Sequence, residues 1–192
     1  MQESVLLTPA EVERLLSGKA ISDRDPWVTG DERCVDDYLR SVCSAVTAST
    51  GSVSKVEWDH YGSGYASYVD AWFYKDAAAF DVRNPTRYGH EHTGLVVLMS
   101  RLSPYVVFME GEQHWHAHGG SSYLPAFDAV DQLKTPAVAE LAQQVQPVLE
   151  RYGLVRIAKE RLGAPLSSEL RVPTILTDGS FRQFDALFHW ED

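Results

Sequence analysis

A chain of 192 residues with 44% hydrophobic and 11% aromatic side chains is long enough to bury a core without disulfide or metal staples. Its formal charge of −10 at pH 7 opposes a phosphate backbone, which excludes nucleic acid as the direct ligand and favours a basic partner through long-range steering. No stretch approaches the ~20 consecutive apolar residues of a membrane helix, and the first residues carry an early acid without a long apolar run, so the expected location is the cytoplasm.

The acidity is uneven: Glu3, Glu11, Glu13, Asp23, Asp25, Asp31, Glu32, Asp36 and Asp37 crowd the first 37 residues, against Arg14, Lys19, Arg24 and Arg33. In "TPAEVERLLSG", Thr8 is placed to cap a helix that Pro9 starts, with Glu11 closing a capping box and Val12, Leu15 and Leu16 as the apolar stripe up to Gly18. A polar, turn-rich stretch follows to Glu32, tied to the body by Trp27. "CVDDYLRSVCSAVTAST" repeats apolar residues at Val35, Tyr38, Leu39, Val42 and Val46, predicting a helix that stops before Gly51. Cys34 and Cys43 lie about 13 Å apart along that helix, too far for a mutual disulfide, and are expected as reduced core thiols.

After Gly51 the period changes from helical to alternating. "VSKVEWDHY" and "YASYVDAWFY", joined through Gly62-Ser63-Gly64, predict an antiparallel pair. Residues 75–93 predict a loop with a helical turn. "LVVLMSRL" and "YVVFMEGE", joined near Ser103-Pro104, are continuous apolar runs suited to strands buried on both faces. "QHWHAH" is expected as a further strand, reached by a tight turn at Gly111. "TPAVAELAQQVQPVLERYG" is expected to be the longest helix, capped by Thr135, started by Pro136, buried along Val138, Leu141, Val145, Leu149 and Tyr152, and kinked at Pro147. "LVRIAKERLGAPLSSEL" fits a short strand with a helical turn or irregular structure. Asp178-Gly179 marks a hairpin between "VPTILT" and "SFRQFDALFHW". These elements predict one α+β domain over residues 1–192, with a mostly antiparallel sheet of about five to seven strands, N-terminal helices and one long helix packed on one face.

His114, His116 and His118 recur at every second position, as do His90 and His92, and alternate residues of a strand share a face. His114 and His116 with a third ligand from His60, His90 or His92 would suit zinc, copper or nickel. No carboxylate stands in register, however, and Trp115 and Ala117 supply the inward face of an ordinary amphipathic strand. No metal or cofactor is therefore assigned. Catalytic templates are incomplete: "HEHTG" lacks the second histidine of H-E-x-x-H, "HGG" has no G-x-S-x-G nucleophile to serve, and a strand follows "GSGYAS" where phosphate binding needs a helix. No catalytic residue is assigned either. Arg151, Arg156, Lys159 and Arg161 form one local basic run, in which Arg151 complements a helix C-terminus.

The ending "VPTILTDGSFRQFDALFHWED", preceded by "ERLGAPLSSEL", resembles the tails of bacterial immunity proteins from polymorphic toxin systems, over about the last thirty residues. The resemblance implies an antidote that binds a cognate toxin domain and occludes its active site. Acidic charge and abundant aromatic residues suit a non-enzymatic protein of that kind, seated on a basic protein partner. The expected contact residues are Glu110, Glu112, His114, Trp115 and His116, which mix aromatic, imidazole and carboxylate groups on one strand. The alternative is a small metal-dependent enzyme built on the histidine cluster. Oligomeric state is left open.

Overall fold

The computed structural model describes residues 6–82, 91–114 and 123–192. Helix α1 spans Pro9–Leu16 and opens with the expected capping box: the Glu11 carboxylate accepts the Thr8 N–H at 2.7 Å and Thr8 Oγ1 accepts the Glu11 N–H at 3.3 Å. Trp27 is buried as the anchor of the following loop, its indole N–H directed at the Ser100 carbonyl at 3.4 Å.

Helix α2, Glu32–Thr50, has 19 residues and is longer than the later helix expected to exceed it. It gains its first turn because the Asp31 carboxylate accepts the Arg33 N–H at 2.9 Å. It ends where Gly51 turns left-handed, at φ 65°, and returns its N–H to Thr47. Val35, Leu39, Val42, Cys43 and Val46 are buried along one side. Cys34 departs from its expected place in the core and is exposed, because it falls one residue off that stripe. Burial pushes the Cys43 thiol up to about 12.

The main sheet has the order β1-β3-β4-β5-β6, formed by Val53–Glu57, Tyr68–Tyr74, Glu91–Ser100, Tyr105–His114 and Val155–Arg156. All neighbours are antiparallel except β5 and β6. A parallel pair needs a crossover, supplied by helix α3 at Pro136–Arg151. A second, two-stranded sheet pairs β2 (Tyr65–Ala66) with β7 (Trp190–Glu191), bringing the last described residues against the chain between β1 and β3. Short helices α4 (Lys159–Leu162) and α5 (Gln183–Leu187) complete the α+β architecture, and α3 packs against the sheet through β4. No helix among the described residues is long and apolar enough to cross a membrane.

Strands β3 and β4 are buried on both faces along their described positions, which is why their text reads as nearly continuous apolar runs. One face carries Val69, Ala71, Phe73, Leu95 and Val97 in register with Phe108 and Glu110. There the Glu110 carboxylate accepts the N–H groups of Lys134 at 2.6 Å and Thr135 at 2.9 Å, with Thr135 Oγ1 at 2.5 Å and Thr93 Oγ1 at 2.9 Å. The start of α3 is thus held by a strand carboxylate, and Thr135 donates to that group rather than capping the helix itself. Within α3, Val138, Leu141, Ala142, Val145, Val148 and Leu149 are buried, whereas Tyr152 lies past the end and is 36% exposed. Pro147 sits inside the helix, which runs on through it.

Gly111 makes no turn: it lies inside β5, opposite Gly94 of β4. What both positions need is the absence of a Cβ. One on Gly94 would stand 2.5 Å from Trp72 Nε1, and one on Gly111 would stand 2.2 Å from the Tyr123 ring. The space lets the Trp72 indole lie across the strands and donate to the Gly111 carbonyl at 2.9 Å. Asp178-Gly179 likewise joins no hairpin. Phe184, Leu187 and Phe188 are buried at helical spacing in and just after α5, and β7 pairs with the distant β2 instead.

Candidate functional site

A cleft of about 910 Å³ opens where the α1–α2 loop, the N-terminus of α2, β2 and the C-terminal strand meet. Trp27, Val35, Tyr65, Arg101, Leu102 and His189 line its interior, and Asp23, Asp31, Glu32 and Glu191 bring carboxylates to it.

Arg101, just after β4, has only 1% of its side chain exposed. Its Nε and Nη2 donate to the two Asp36 oxygens at 2.9 and 3.3 Å, its Nη1 to the carbonyls of Ala66 at 3.0 Å and Tyr68 at 2.6 Å, and its Nη2 also to Trp58 at 2.9 Å. Those contacts match the five N–H groups of a guanidinium, so the buried cation is satisfied within the fold. Arg101 therefore binds the stretch after β1, at Trp58, to β2, β3 and α2 rather than offering donors to a ligand.

The 3-10 turn His60–Gly62 carries two consecutive non-glycine residues in the left-handed region, His60 at φ 48° and Tyr61 at φ 57°. Such backbone is disfavoured for side chains beyond Cβ and persists only when neighbours fix it. His60 Nδ1 accepts the Ala66 N–H at 3.0 Å, which makes Nε2 the protonated nitrogen of the neutral ring, donating to Glu32 Oε1 at 3.0 Å. Tyr61 points to the other side, where its hydroxyl donates to Asp70 Oδ2 at 2.7 Å.

Asp70, on β3, is 5% exposed and also accepts from the Tyr123 hydroxyl at 2.9 Å, to which Gln113 donates at 3.2 Å. Burial pushes its carboxyl up to about 6, against the lowering effect of the two tyrosine hydrogen bonds, with the Glu57 charge adding to the rise. Tyr61 is raised as well, by burial first and then by the Asp70 charge.

Tyr65 lies in the cleft between two imidazoles, 5.3 Å from the His60 ring and 6.3 Å from that of His189. Burial, then the Glu32 charge, pushes its hydroxyl up to about 12. His189 is 2% exposed; Nδ1–H donates to the Ala186 carbonyl at 3.2 Å and its backbone N–H to Ser67 Oγ at 2.9 Å. Burial lowers its pKa, so the imidazole is held neutral with Nε2 as an open acceptor.

Of the expected contact residues, Glu110 is engaged at the start of α3, and Glu112 is exposed on β5 opposite Thr93. His114 closes β5 opposite Glu91, while Trp115 and His116 lie outside the described residues, as do His90 and His118. His92 is buried on β4, its Nδ1 3.1 Å from Asp81 Oδ1, with its ring stacked on Tyr74 at 4.8 Å. Among the described residues no group of three or more His, Cys, Asp or Glu side chains converges as a metal site. In the basic run, Arg156 pairs with Asp131 at 2.6 Å and covers the Phe108 ring.

Sequence reasoning passed over Arg101, Tyr65 and His189. Arg101 had one legible sign, a lone guanidinium inside "LVVLMSRLSPYVV", where a charge buried with its neighbours must find partners. Comparison of the chain with protein-family models, with curated proteins and with solved structures returns no match.

Proposed function

We propose that this chain is a non-enzymatic binding protein, an immunity protein that neutralises a cognate bacterial toxin by seating on it and occluding its active site. The observation that supports this most is the division of labour in the cleft. Its deep ion pair, Arg101 with Asp36, is engaged in holding the fold, while the partly exposed Glu32 and the exposed Asp23 and Glu191 present carboxylates. A rigid floor under a wall that carries carboxylates beside Arg14 and Lys19 suits recognition of a partner with basic groups, with aromatic rings beneath as contact area. The net charge of −10 steers such a partner inward. In this reading the antidote acts in the cytoplasm.

The test is co-expression with the toxin domain encoded beside this chain's own reading frame. Restored growth and a complex that co-elutes in size-exclusion chromatography are expected. Unprotected cells, or turnover of a small compound by the pure polypeptide that disappears when a single imidazole is removed, would overturn the proposal.

A further inference from the structure

Within the cleft, three acceptors converge without a donor of their own. Glu32 uses Oε1 on His60 and keeps Oε2, with 42% of its side chain exposed. Glu191 lies at the cleft in β7, exposed, and its carboxylate makes no hydrogen bond among the described residues. His189 Nε2 also makes none there, although the residue is 2% exposed and lines the cleft, and the atom is not sealed from solvent. That nitrogen of a buried ring is thus an acceptor with no protein donor among the described residues. The same walls bring the Tyr65 ring and the Trp27 indole.

Two carboxylates, one neutral nitrogen acceptor and aromatic faces describe the complement of a flat cation with several N–H donors. A guanidinium matches: it forks between carboxylates, donates to a third acceptor and stacks on rings, whereas an ammonium is a compact, strongly hydrated point charge. The cleft's own cations do not fill this role. Arg101 spends its N–H groups on Asp36 and on backbone carbonyls and reaches Glu32 only at 3.9 Å, on Oε1, leaving Oε2; Arg14 donates to the Ala20 carbonyl at 2.7 Å, and Lys19 is exposed. Resting on the reading of the chain as a toxin-binding protein, we infer that the cleft receives an arginine side chain of the protein partner, between Glu32 and Glu191, with His189 Nε2 as the third acceptor.

The experiment titrates N-acetyl-arginine amide into the isotopically labelled full chain and follows the His189 ring and Trp27 indole resonances. Saturable shifts at both are expected, about tenfold weaker binding for the lysine analogue, and none for the uncharged citrulline analogue. Glu191→Gln, a change at an exposed position, should weaken the arginine probe about tenfold with the spectrum otherwise preserved, and His189→Phe should do the same. Unmoved cleft resonances, or equal binding of citrulline, would overturn the assignment. The variants also separate the two levels of the proposal: protection from the toxin that survives Glu191→Gln and Glu32→Gln together sinks the arginine site and leaves the antidote standing. Arginine binding by a chain that protects against no toxin sinks the antidote alone.

Discussion

Tyr61, held in left-handed backbone, donates its hydroxyl to the fully enclosed carboxylate of Asp70 at 2.7 Å, while its neighbour His60 bonds to Glu32 of the cleft wall. One strained turn thereby couples the acid beneath the sheet to the wall of the candidate site. Removing the hydroxyl with Tyr61→Phe leaves a buried acceptor short of one donor, and should lower stability by about 1–3 kcal/mol in urea denaturation. The same variant should shift the His60 ring resonances, because the turn loses one of its restraints.

Asp70 and Glu110 should pull stability in opposite directions with pH. The Asp70 pKa is raised to about 6, so its folded form binds the proton more tightly than the unfolded chain does. That contribution is complete below the ordinary carboxylate range and fades as pH rises through about 6, a span worth roughly 3 kcal/mol. Asp70→Asn should flatten this fall in urea midpoints measured from pH 4 to 7. A slope unaltered by the substitution would contradict the assignment.

For Glu110, burial pushes the pKa up, but hydrogen bonds from Thr135, Thr93 and Lys134 outweigh it and hold the carboxyl below its usual range. Its stabilisation is present above the unfolded pKa and is lost as pH falls through the folded one. Glu110→Gln keeps the shape and removes the charge at the start of α3, so a loss of about 1–2 kcal/mol at neutral pH is expected, measured by thermal unfolding.

Arg101→Met should be among the most damaging single changes, at about 3–5 kcal/mol, because it strands the Asp36 carboxylate and the carbonyls of Trp58, Ala66 and Tyr68. Arg101→Lys should rescue little, since three donors on a flexible stem cannot replace a five-donor fork. Chemical denaturation of both variants checks this, with equal stability of Lys and Arg forms as the contrary result.

Gly111→Ala should destabilise by about 1–3 kcal/mol by overpacking, although alanine is sterically acceptable in a strand. The added methyl meets the Tyr123 ring, whose displacement would break its bond to Asp70. Altered Tyr123 fluorescence or ring resonances would accompany the loss.

The elements legible in the sequence are those whose causes are local. The Thr8–Glu11 box, the Val35–Val46 stripe, Pro136 and the apolar runs that became β4 and β5 each carry their explanation within one element. The turn expected at Gly111 does not form because one letter serves two purposes: glycine permits positive φ and it also omits a Cβ, and here only the second matters. The expected hairpin at Asp178-Gly179 gave way to the helical spacing of Phe184, Leu187 and Phe188, which was present in the text but outranked by a strong turn dipeptide. The cleft itself was not readable. Arg101 meets residues 36, 58, 66 and 68, and His189 meets Ser67, pairings that tertiary packing alone brings together.

Leu7 exchanges backbone hydrogen bonds with the side chain of Gln183, and Ser67 bonds to the Leu187 and His189 carbonyls, so the earliest and latest described segments are stitched to each other. Closing contacts that distant is entropically slow. A nascent chain lacks both the α5 support of α1 and one wall of the cleft until translation has passed residue 191. The cleft therefore takes its full shape only once His189 and Glu191 have joined the residues before them.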